Sequence, residues 1–323
     1  MKGFLDTAMS EASLYDKTLA SLAMKQARGS SEECVFLLRA YRSTLERSHY
    51  SSLLDSASMR VTRRISSSFK DIPGGQILGA SPDYTHRLLD FSLMTETLKS
   101  RDALLKKMNE DIEPKEVRDF PKVVDMLREE GVVEPIHFSE DVPVDITKEG
   151  VSFPSTRSQR LQMLTRGHTG AVISLGYAAL RAYGLLHPTI AELRVGELPV
   201  IIDDKDSSDP ENQYYLGDVE ITEVESFIPK IFKLPGGEEK TTFSIGYGMC
   251  FGHNESKAIA MSLLDASLEE PDDSNPLRNE EFVLMHIDSV ESTGFISHLK
   301  LPHYVTFQSK LDAMRKAQDD SDL

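Results

Sequence analysis

The residues whose types are best suited to binding or catalysis lie in one segment, RRISSSFKDIPGGQILGASPDYTHRLLDF, at positions 63–91. Its glycines, including Gly74 and Gly75, allow the backbone to come close to a ligand, and its N–H groups can donate to phosphate oxygens. Guanidinium groups supply the charge that such an anion needs. The segment therefore predicts a phosphate-binding loop, and a surface turn with solvated charges is the alternative. The cations that we predict to bind the ligand here are Arg63, Arg64 and Lys70.

A second pair of cations, Arg157 and Arg160, stands one turn apart at the start of a predicted helix, which Ser155 or Thr156 can cap. Positive charge at a helix N-terminus opposes the helix dipole by about 0.3–1 kcal/mol per residue. An anionic ligand beside the two arginines would offset that cost. We predict a second anion-binding position here, and ion pairing to an acidic side chain is the alternative.

Two histidines near the C-terminus, His298 and His303, are separated by a stretch that contains Pro302. A regular helix cannot hold both on one face, but a loop can bring the two imidazoles to one metal ion. Two histidine ligands with an open or borrowed third position indicate a catalytic or interface zinc site. The alternative is a pair of ordinary hydrogen-bonding histidines. Cys34 and Cys250 have no metal-ligand spacing, so we expect neither a disulfide framework nor a thiolate site.

The segment GYGMCFGHNES places glycines ahead of a predicted helix, as phosphate loops do. Its spacing, GxGxxxG, differs from the dinucleotide-binding fingerprint. We therefore interpret it as a tight turn, followed by a helix that Asn254 or Ser256 caps.

The overall composition is that of an ordinary globular protein, with 323 residues of which 40% are hydrophobic and 27% charged. No apolar run approaches the roughly 18 residues that a membrane span needs. The net charge of -16 argues against a nucleic-acid polymer as partner, since phosphate backbones bind clustered Lys and Arg. No secretory signal is visible, and we expect a cytoplasmic protein.

The elements that must position these residues form an α+β pattern, with a helical N-terminal part followed by a mixed α/β body with long polar loops. Strand patterns cover residues 59–69, 192–203 and 215–226, and the apolar run EFVLMHI at 281–287 predicts a buried strand. We predict three parts: a helical and Gly-loop part at 1–98, a variable polar excursion at 99–150, and an α+β body with the C-terminal His motif at 151–323.

Several of these segments, taken together, resemble the I subunit of bacterial carbon-phosphorus lyase. KDIPGGQILGASPDYTHRLLDF and GFISHLKLPHYVTFQ carry the resemblance most specifically. The resemblance implies a cytoplasmic core complex with G, H and J subunits and the L ATPase-like protein. Together these proteins would replace the purine base of ATP or GTP with an alkylphosphonate such as methylphosphonate, to give α-D-ribose 1-methylphosphonate 5-triphosphate.

The resemblance also implies zinc on His298 and His303 at the contact with the J subunit, and Mg²⁺ can accompany the triphosphate. Loss of a purine base develops positive charge on the ribose and negative charge on the base. A carboxylate near the sugar and a proton donor near the base are therefore expected. The candidate carboxylates are Asp83, Asp90, Glu281 and Asp288, and the candidate proton donors are His86 and His286.

Two other functions stay open at this point. The chain could be a stand-alone purine nucleotide nucleosidase, or a structural subunit of the complex without a functional nucleotide site. The second alternative arises because the family has a further glycine-containing segment ahead of the helix in which this sequence begins. Either the start lies upstream or this copy lacks that segment.

Overall fold

The computed structural model describes residues 2–79, 81, 83, 87–110, 120–133, 142–182, 187–203, 213–233, 239–272 and 274–321. It confirms the predicted α+β fold with a helical N-terminal part. The strands are β1 (Arg60–Ile65), β2 (Thr189–Asp203), β3 (Gln213–Lys233) and β4 (Glu239–Phe251). The helices are α1 (Lys2–Ala12), α2 (Lys17–Gln26), α3 (Ser31–Ser43), α4 (Leu98–Glu110), α5 (Val123–Glu129), α6 (Arg157–Arg166), α7 (Thr169–Ala182), α8 (Glu255–Leu268), α9 (Glu280–His286), α10 (Ser289–His298) and α11 (Tyr304–Ser321).

The four strands form one antiparallel sheet in the order β1-β2-β3-β4. Strands β2 and β3 pair from Thr189 opposite Phe227 to Asp203 opposite Gln213, so the predicted strand pair is confirmed. Strand β1 pairs with β2 and contains an irregularity between Val61 and Arg63. The sheet thus brings the first strand, which carries Arg63, beside strands far along the chain.

One face of the sheet packs on helices α7 and α8 through a buried apolar core. Leu193, Val195 and Val224 belong to this core, together with Met261 and Leu264 of α8. Strand β4 and helix α8 lie close together because β4 contains glycines. A Cβ on Gly248 would lie 2.1 Å from the carbonyl oxygen of Ala258. The glycines of GYGMCF therefore lie inside a strand, and the predicted turn is confined to the residues after it, where Gly252 has φ +70°.

The opposite face of the sheet carries buried charges, which we call the ionic layer. Strand side chains alternate between faces, so Glu192 and Arg194 of β2 point away from the apolar core that holds Leu193. Helix α5 and the segment after β1 cover this face, with Val123 and Ile72 buried against it. The members of the ionic layer are Arg64, Lys122, Glu192, Arg194, Glu223 and Glu225. Their formal charges sum to zero, and their side chains are at most 14% exposed.

Helices α1, α2 and α3 pack on each other around Met9, Ala20 and Val35, which are fully buried. Ser30 caps α3 by accepting a hydrogen bond from the backbone N–H of Glu33. Arg39 of α3 then ties these helices to the body of the protein, because its guanidinium donates to carbonyl oxygens of both parts.

The prediction of a buried strand at EFVLMHI is wrong, because residues 280–286 form helix α9. Asn279 caps this helix by accepting from the N–H of Phe282, and Val283, Leu284 and Ile287 are buried at helical spacing. A short apolar run does not distinguish a strand from a buried helix, and here the cap decides. Among the described residues, no helix combines the length and the apolarity that crossing a bilayer requires.

Candidate functional site

Arg63 lies at the centre of a small cluster of charged side chains at the N-terminus of α8. Its Nε lies 2.5 Å from Oε1 of Glu255, and its Nη2 lies 2.5 Å from Oδ2 of Asp83. Nε2 of His253 lies 2.7 Å from the same Glu255 oxygen. Burial opposes ionisation of Glu255, but hydrogen bonds from His253 and Arg63 outweigh it and lower the pKa of this carboxyl. We call these four residues the Arg63 cluster.

Asp83 is the accessible member of the Arg63 cluster. Its side chain is 45% exposed, whereas that of Arg63 is 3% exposed. A hydrogen bond from the Ser81 hydroxyl and the charge of Arg63 lower the pKa of Asp83, so this carboxylate is ionised at neutral pH. The cluster therefore presents one fixed negative charge to solvent beside a histidine that is itself partly exposed.

Arg64 points to the other side of the sheet from Arg63 and joins the ionic layer. It pairs with Glu192 and donates to the carbonyl oxygen of Pro73 at 2.5 Å. The structure therefore does not bring the two predicted phosphate-binding arginines together. Gly74 has φ +81°, and a Cβ there would lie 2.4 Å from the ring of Phe120, so close packing against Phe120 requires glycine.

Gly75 also has a positive φ, of +72°, and Lys70 is exposed nearby in the chain. The carbonyl oxygen of Lys70 accepts a hydrogen bond from the Gln76 side chain. These contacts hold the glycine segment in a defined turn on β1. A role for Gly74, Gly75 and Lys70 in phosphate binding stays a prediction.

Arg157 and Arg160 lie at the start of α6, where Thr156 forms the predicted cap as part of a capping box. Nη2 of Arg157 lies 2.6 Å from Oδ2 of the buried Asp265. Arg160 pairs with Glu269 and donates to the carbonyl oxygen of Ser155. Ion pairing, the alternative to an anion site, is the arrangement in the structure.

The candidates Glu281 and His286 lie on α9, and both are exposed. Nδ1 of His286 lies 2.7 Å from the carbonyl oxygen of Phe282, and the two rings pack with centroids 4.5 Å apart. Each is therefore free to meet a ligand or a partner on the surface.

The candidates Asp288 and Asp90 both cap helices. Asp288 accepts from two N–H groups at the start of α10 and lies 2.6 Å from Nη1 of Arg39, and these partners outweigh burial and lower its pKa. Asp90 accepts from Ser92 at the start of a five-residue 3-10 helix. His86, the remaining candidate, lies outside the described residues.

His298 ends α10 and His303 precedes α11, and their ring centroids are 5.5 Å apart. Nδ1 of each ring lies 2.5 Å from a backbone carbonyl oxygen, that of Phe295 for His298 and that of Leu301 for His303. A histidine whose Nδ1–H donates to a carbonyl keeps Nε2 available as a metal ligand, and metal-bound histidines characteristically make such a bond. The pair fits the donor set that zinc prefers.

The histidine pair alone does not complete a metal site. Within the part of the chain that the structure describes, no three His, Cys, Asp or Glu side chains are grouped to hold a metal ion. The pair is surrounded by exposed apolar residues, since Phe295 is 74% and Tyr304 is 80% exposed. Both features suit a contact with another protein, which would add ligands and cover the apolar side chains.

The ionic layer was missed in the sequence because alternating charged and apolar residues are typical of a strand with one face in water. Glu223 accepts from Tyr247 at 2.9 Å and pairs with Arg194 and Lys122. Burial, reinforced by the charge of Glu223, raises the pKa of Glu225 to about 7. The balance of positive and negative residues between neighbouring strands is the signal that could have revealed this layer.

Comparison with known proteins adds a decisive observation to this geometry. The family model described as "Bacterial phosphonate metabolism protein (PhnI)" matches residues 1–321. The chain belongs to the PhnI family. Its similarity to individual PhnI proteins is also nearly end to end. The protein of Rhizobium meliloti (strain 1021) is 41% identical over 326 residues, which cover 98% of this chain and 84% of that protein.

The PhnI protein of Escherichia coli (strain K12) is 41% identical over 324 residues, 98% of this chain and 86% of that protein. Both proteins carry the name alpha-D-ribose 1-methylphosphonate 5-triphosphate synthase subunit PhnI. HtxH of Stutzerimonas stutzeri, provisionally named as a C-P lyase subunit, is 44% identical over 315 residues, 96% of this chain and 83% of HtxH. PhnI membership confirms the resemblance found in the sequence.

Proposed function

We propose that this chain is a subunit of the carbon-phosphorus lyase core complex. With its partners it replaces the purine base of ATP or GTP with methylphosphonate and forms α-D-ribose 1-methylphosphonate 5-triphosphate. The observation that carries the proposal is similarity over 98% of the chain to two proteins named as subunits of that synthase. The partners in this proposal are the G, H and J subunits and the L ATPase-like protein, and the complex works in the cytoplasm.

The reaction breaks the bond between C1 of the ribose and the purine nitrogen and forms a bond between C1 and a phosphonate oxygen. The departing base takes the bonding electrons and needs a proton, while C1 carries positive charge in the transition state. Asp83 suits the carboxylate role because it is ionised and half exposed. His253 suits proton transfer to the base, because Glu255 holds its Nε2 at 2.7 Å.

The triphosphate of the substrate needs cations, and the arginines of the predicted sites are already paired with carboxylates. Mg²⁺ bound to the triphosphate would supply that charge from the substrate side. Arg63 then holds Asp83 and Glu255 in position, and does not itself bind the phosphates.

His298 and His303 hold zinc in this proposal, with the remaining ligands supplied by the J subunit. Zinc at such a contact would act as a Lewis acid or fix the two proteins together. The hydrogen bonds at Nδ1 would leave Nε2 of each histidine as the ligand atom. We expect the complex with His298→Ala to lose zinc by elemental analysis, whereas the exposed His49, replaced by Ala, leaves the zinc content unchanged.

The test of the proposed reaction uses the chain co-expressed with the G, H, J and L proteins. Release of adenine or guanine is followed by chromatography, and transfer to methylphosphonate by phosphorus NMR. We expect the assembled complex to release the base and to form the phosphonate ester. Asp83→Asn should reduce the rate by about 100-fold or more, the contribution typical of a positioned catalytic group. Asp272→Asn, a substitution in the loop that follows α8, should leave it unchanged.

The alternatives give different results in the same experiment. Base release by the isolated chain at the full rate would indicate a stand-alone nucleosidase. An assembled, zinc-containing complex whose rate does not respond to Asp83→Asn would remove the catalytic role of the Arg63 cluster. If the complex transfers no ribose triphosphate to methylphosphonate, the remaining interpretation is that the chain is a structural subunit.

A further inference from the structure

A cavity of about 470 Å³ lies where α3, α6, α9 and α10 meet the segment at 146–153. This volume is within the range of ligand pockets, roughly 300–1,000 Å³. Apolar side chains form most of its wall, among them Phe153, Met163 and Leu284. Two guanidinium groups, those of Arg39 and Arg166, also line it. The cavity thus combines an apolar surface with half-buried charged side chains.

Arg166 is the cation of this cavity whose guanidinium has a neutral hydrogen-bond partner. Its Nη1 donates to the Ser13 hydroxyl at 2.9 Å. Among the described residues, no carboxylate lies within the 4.0 Å of a salt bridge to Arg166. Burial and the like charges of Arg39 and Arg42 lower the pKa of Arg166 to about 10, and the charges of Asp288 and Asp145 oppose this shift only in part, so Arg166 is cationic at neutral pH and incompletely compensated. A bound anion would relieve both the desolvation and the repulsion.

Arg39 is satisfied within the protein. It donates from Nε and Nη2 to the carbonyl oxygen of Glu11 and from Nη1 to Asp288 at 2.6 Å. Its pairing neutralises Asp288, which also lines the cavity. The remaining carboxylate of the lining is Glu291, which is exposed on α10. Among the described residues of the lining, Arg166 is therefore the cation without an ion-pair partner, while the formal charges of the lining, two arginines and two carboxylates, sum to zero.

A second cavity, also of about 470 Å³, provides an internal comparison. Arg160 and Arg278 line it, and each has a carboxylate partner within 4.0 Å: Glu269 for Arg160 and Glu270 for Arg278. Equal volume therefore does not imply equal preference for an anion. Among these two cavities, the one with Arg166 holds the cation without a carboxylate partner.

We infer that the cavity lined by Arg166 binds an alkylphosphonate, with the phosphonate oxygens on the guanidinium of Arg166 and the alkyl group against the apolar wall. Arginine binds tetrahedral oxyanions in bidentate fashion, and Phe153, Met163 and Met285 offer the alkyl group an apolar surface. This assignment rests on the proposed function, because that function requires a phosphonate as the acceptor. It adds the place where the acceptor is held before transfer.

Titration calorimetry of the assembled complex tests the assignment with inorganic phosphate, methylphosphonate, propylphosphonate and ATP. An apolar wall should improve affinity by about fourfold for each added methylene. We expect propylphosphonate, with two more methylenes, to bind more tightly than methylphosphonate by about 15-fold, and phosphate to bind most weakly. Arg166→Met should weaken methylphosphonate binding by about 10-fold or more, as loss of a charged hydrogen bond does. Arg278→Met, the same change in the second cavity, should have no effect.

Two milder variants keep the test decisive if Arg166→Met prevents assembly. Arg166→Lys retains the charge but not the bidentate hydrogen bonding of the guanidinium, so it should weaken methylphosphonate binding partially. Met285, which is 48% exposed, can be replaced by Gln to make the wall polar, and this should reduce the gain from methyl to propyl without loss of phosphate binding.

Several results would overturn the assignment. These are equal affinities for phosphate and propylphosphonate, methylphosphonate binding that does not respond to either Arg166 variant, and Arg166-dependent binding of ATP alone. Failure of the assignment and failure of the proposed function are distinguishable. Normal transfer to methylphosphonate in Arg166→Lys, with unchanged methylphosphonate affinity, rejects only the assignment. Arg166-dependent phosphonate binding without any transfer supports the assignment and rejects the proposed function.

Discussion

Replacement of Arg194 by Met tests whether the ionic layer is held together by its internal charge pairs. Arg194 contacts Glu223 through Nε at 3.0 Å and through Nη2. The pairs with Arg194 and Lys122 outweigh the burial of Glu223 and lower its pKa to about 2 from an ordinary 4.5. That difference corresponds to about 3 kcal/mol of net stabilisation of the ionised carboxylate. Loss of one partner of a buried pair typically costs about 3–5 kcal/mol.

We expect a loss of about 3 kcal/mol in the free energy of unfolding for Arg194→Met, at the low end of that range. Glu223 keeps Lys122 at 3.1 Å, the Ser56 hydroxyl at 2.6 Å and the Tyr247 hydroxyl at 2.9 Å. The chain contains no tryptophan, so urea unfolding is best followed by far-ultraviolet circular dichroism. Adding Glu223→Gln to Arg194→Met should recover part of the loss, because it removes a buried carboxylate that has lost one of its two cations.

The effect should depend on pH with a definite sign. A carboxyl group whose folded pKa is lowered stabilises the fold above its unfolded pKa of about 4.5, and the contribution is lost as pH falls toward 2. The deficit of Arg194→Met should therefore be largest at neutral pH and shrink below about pH 4. Arg60→Met is the control, because Arg60 forms an exposed pair with Glu197, which is worth about 1 kcal/mol or less. A similar loss from both variants would refute the reasoning.

Further predictions concern backbone packing, capping and proton binding, each measured by urea unfolding. Gly248→Ala should destabilise by about 1–3 kcal/mol because its Cβ meets a backbone oxygen of α8, whereas Gly294→Ala, with open space around it, should not. Thr156→Ala should cost about 1 kcal/mol through loss of the α6 capping box. Burial raises the folded pKa of Glu225 to about 7, so stability falls as pH rises from about 4.5 to 7, and Glu225→Gln should abolish that fall.

Local signals in the sequence predicted the elements well where periodicity and caps agreed. Thr156 caps the helix that follows it, and the pattern of β2 and β3 placed both strands. The run at 281–287 failed because five apolar residues are too few to show a period, and the cap at Asn279 was the deciding feature. Fold class followed from the longer elements, which carried the clearest patterns.

The candidate site was less predictable because side-chain partners depend on contacts between distant segments. Arg63 and Arg64 are neighbours in sequence, but the alternation of a strand sends them to opposite faces. Arg63 meets Glu255, 192 positions away, and no local pattern indicates that contact. The lack of an ion-pair partner for Arg166 among the described residues could not be predicted either, because it depends on which carboxylates the fold brings near this guanidinium.

The ionic layer also constrains how the protein can diverge. Each of its carboxylates lies beside a cation on another strand or helix, and Glu223 serves two cations at once. Substitution of one member by a neutral or oppositely charged residue would leave its partner buried without a counter-charge. Divergent relatives should therefore change these positions in compensating pairs, or replace the whole set by apolar residues. The layer should therefore be inherited as one unit, and pairwise covariation among aligned relatives should group its members more tightly than their neighbours along the chain.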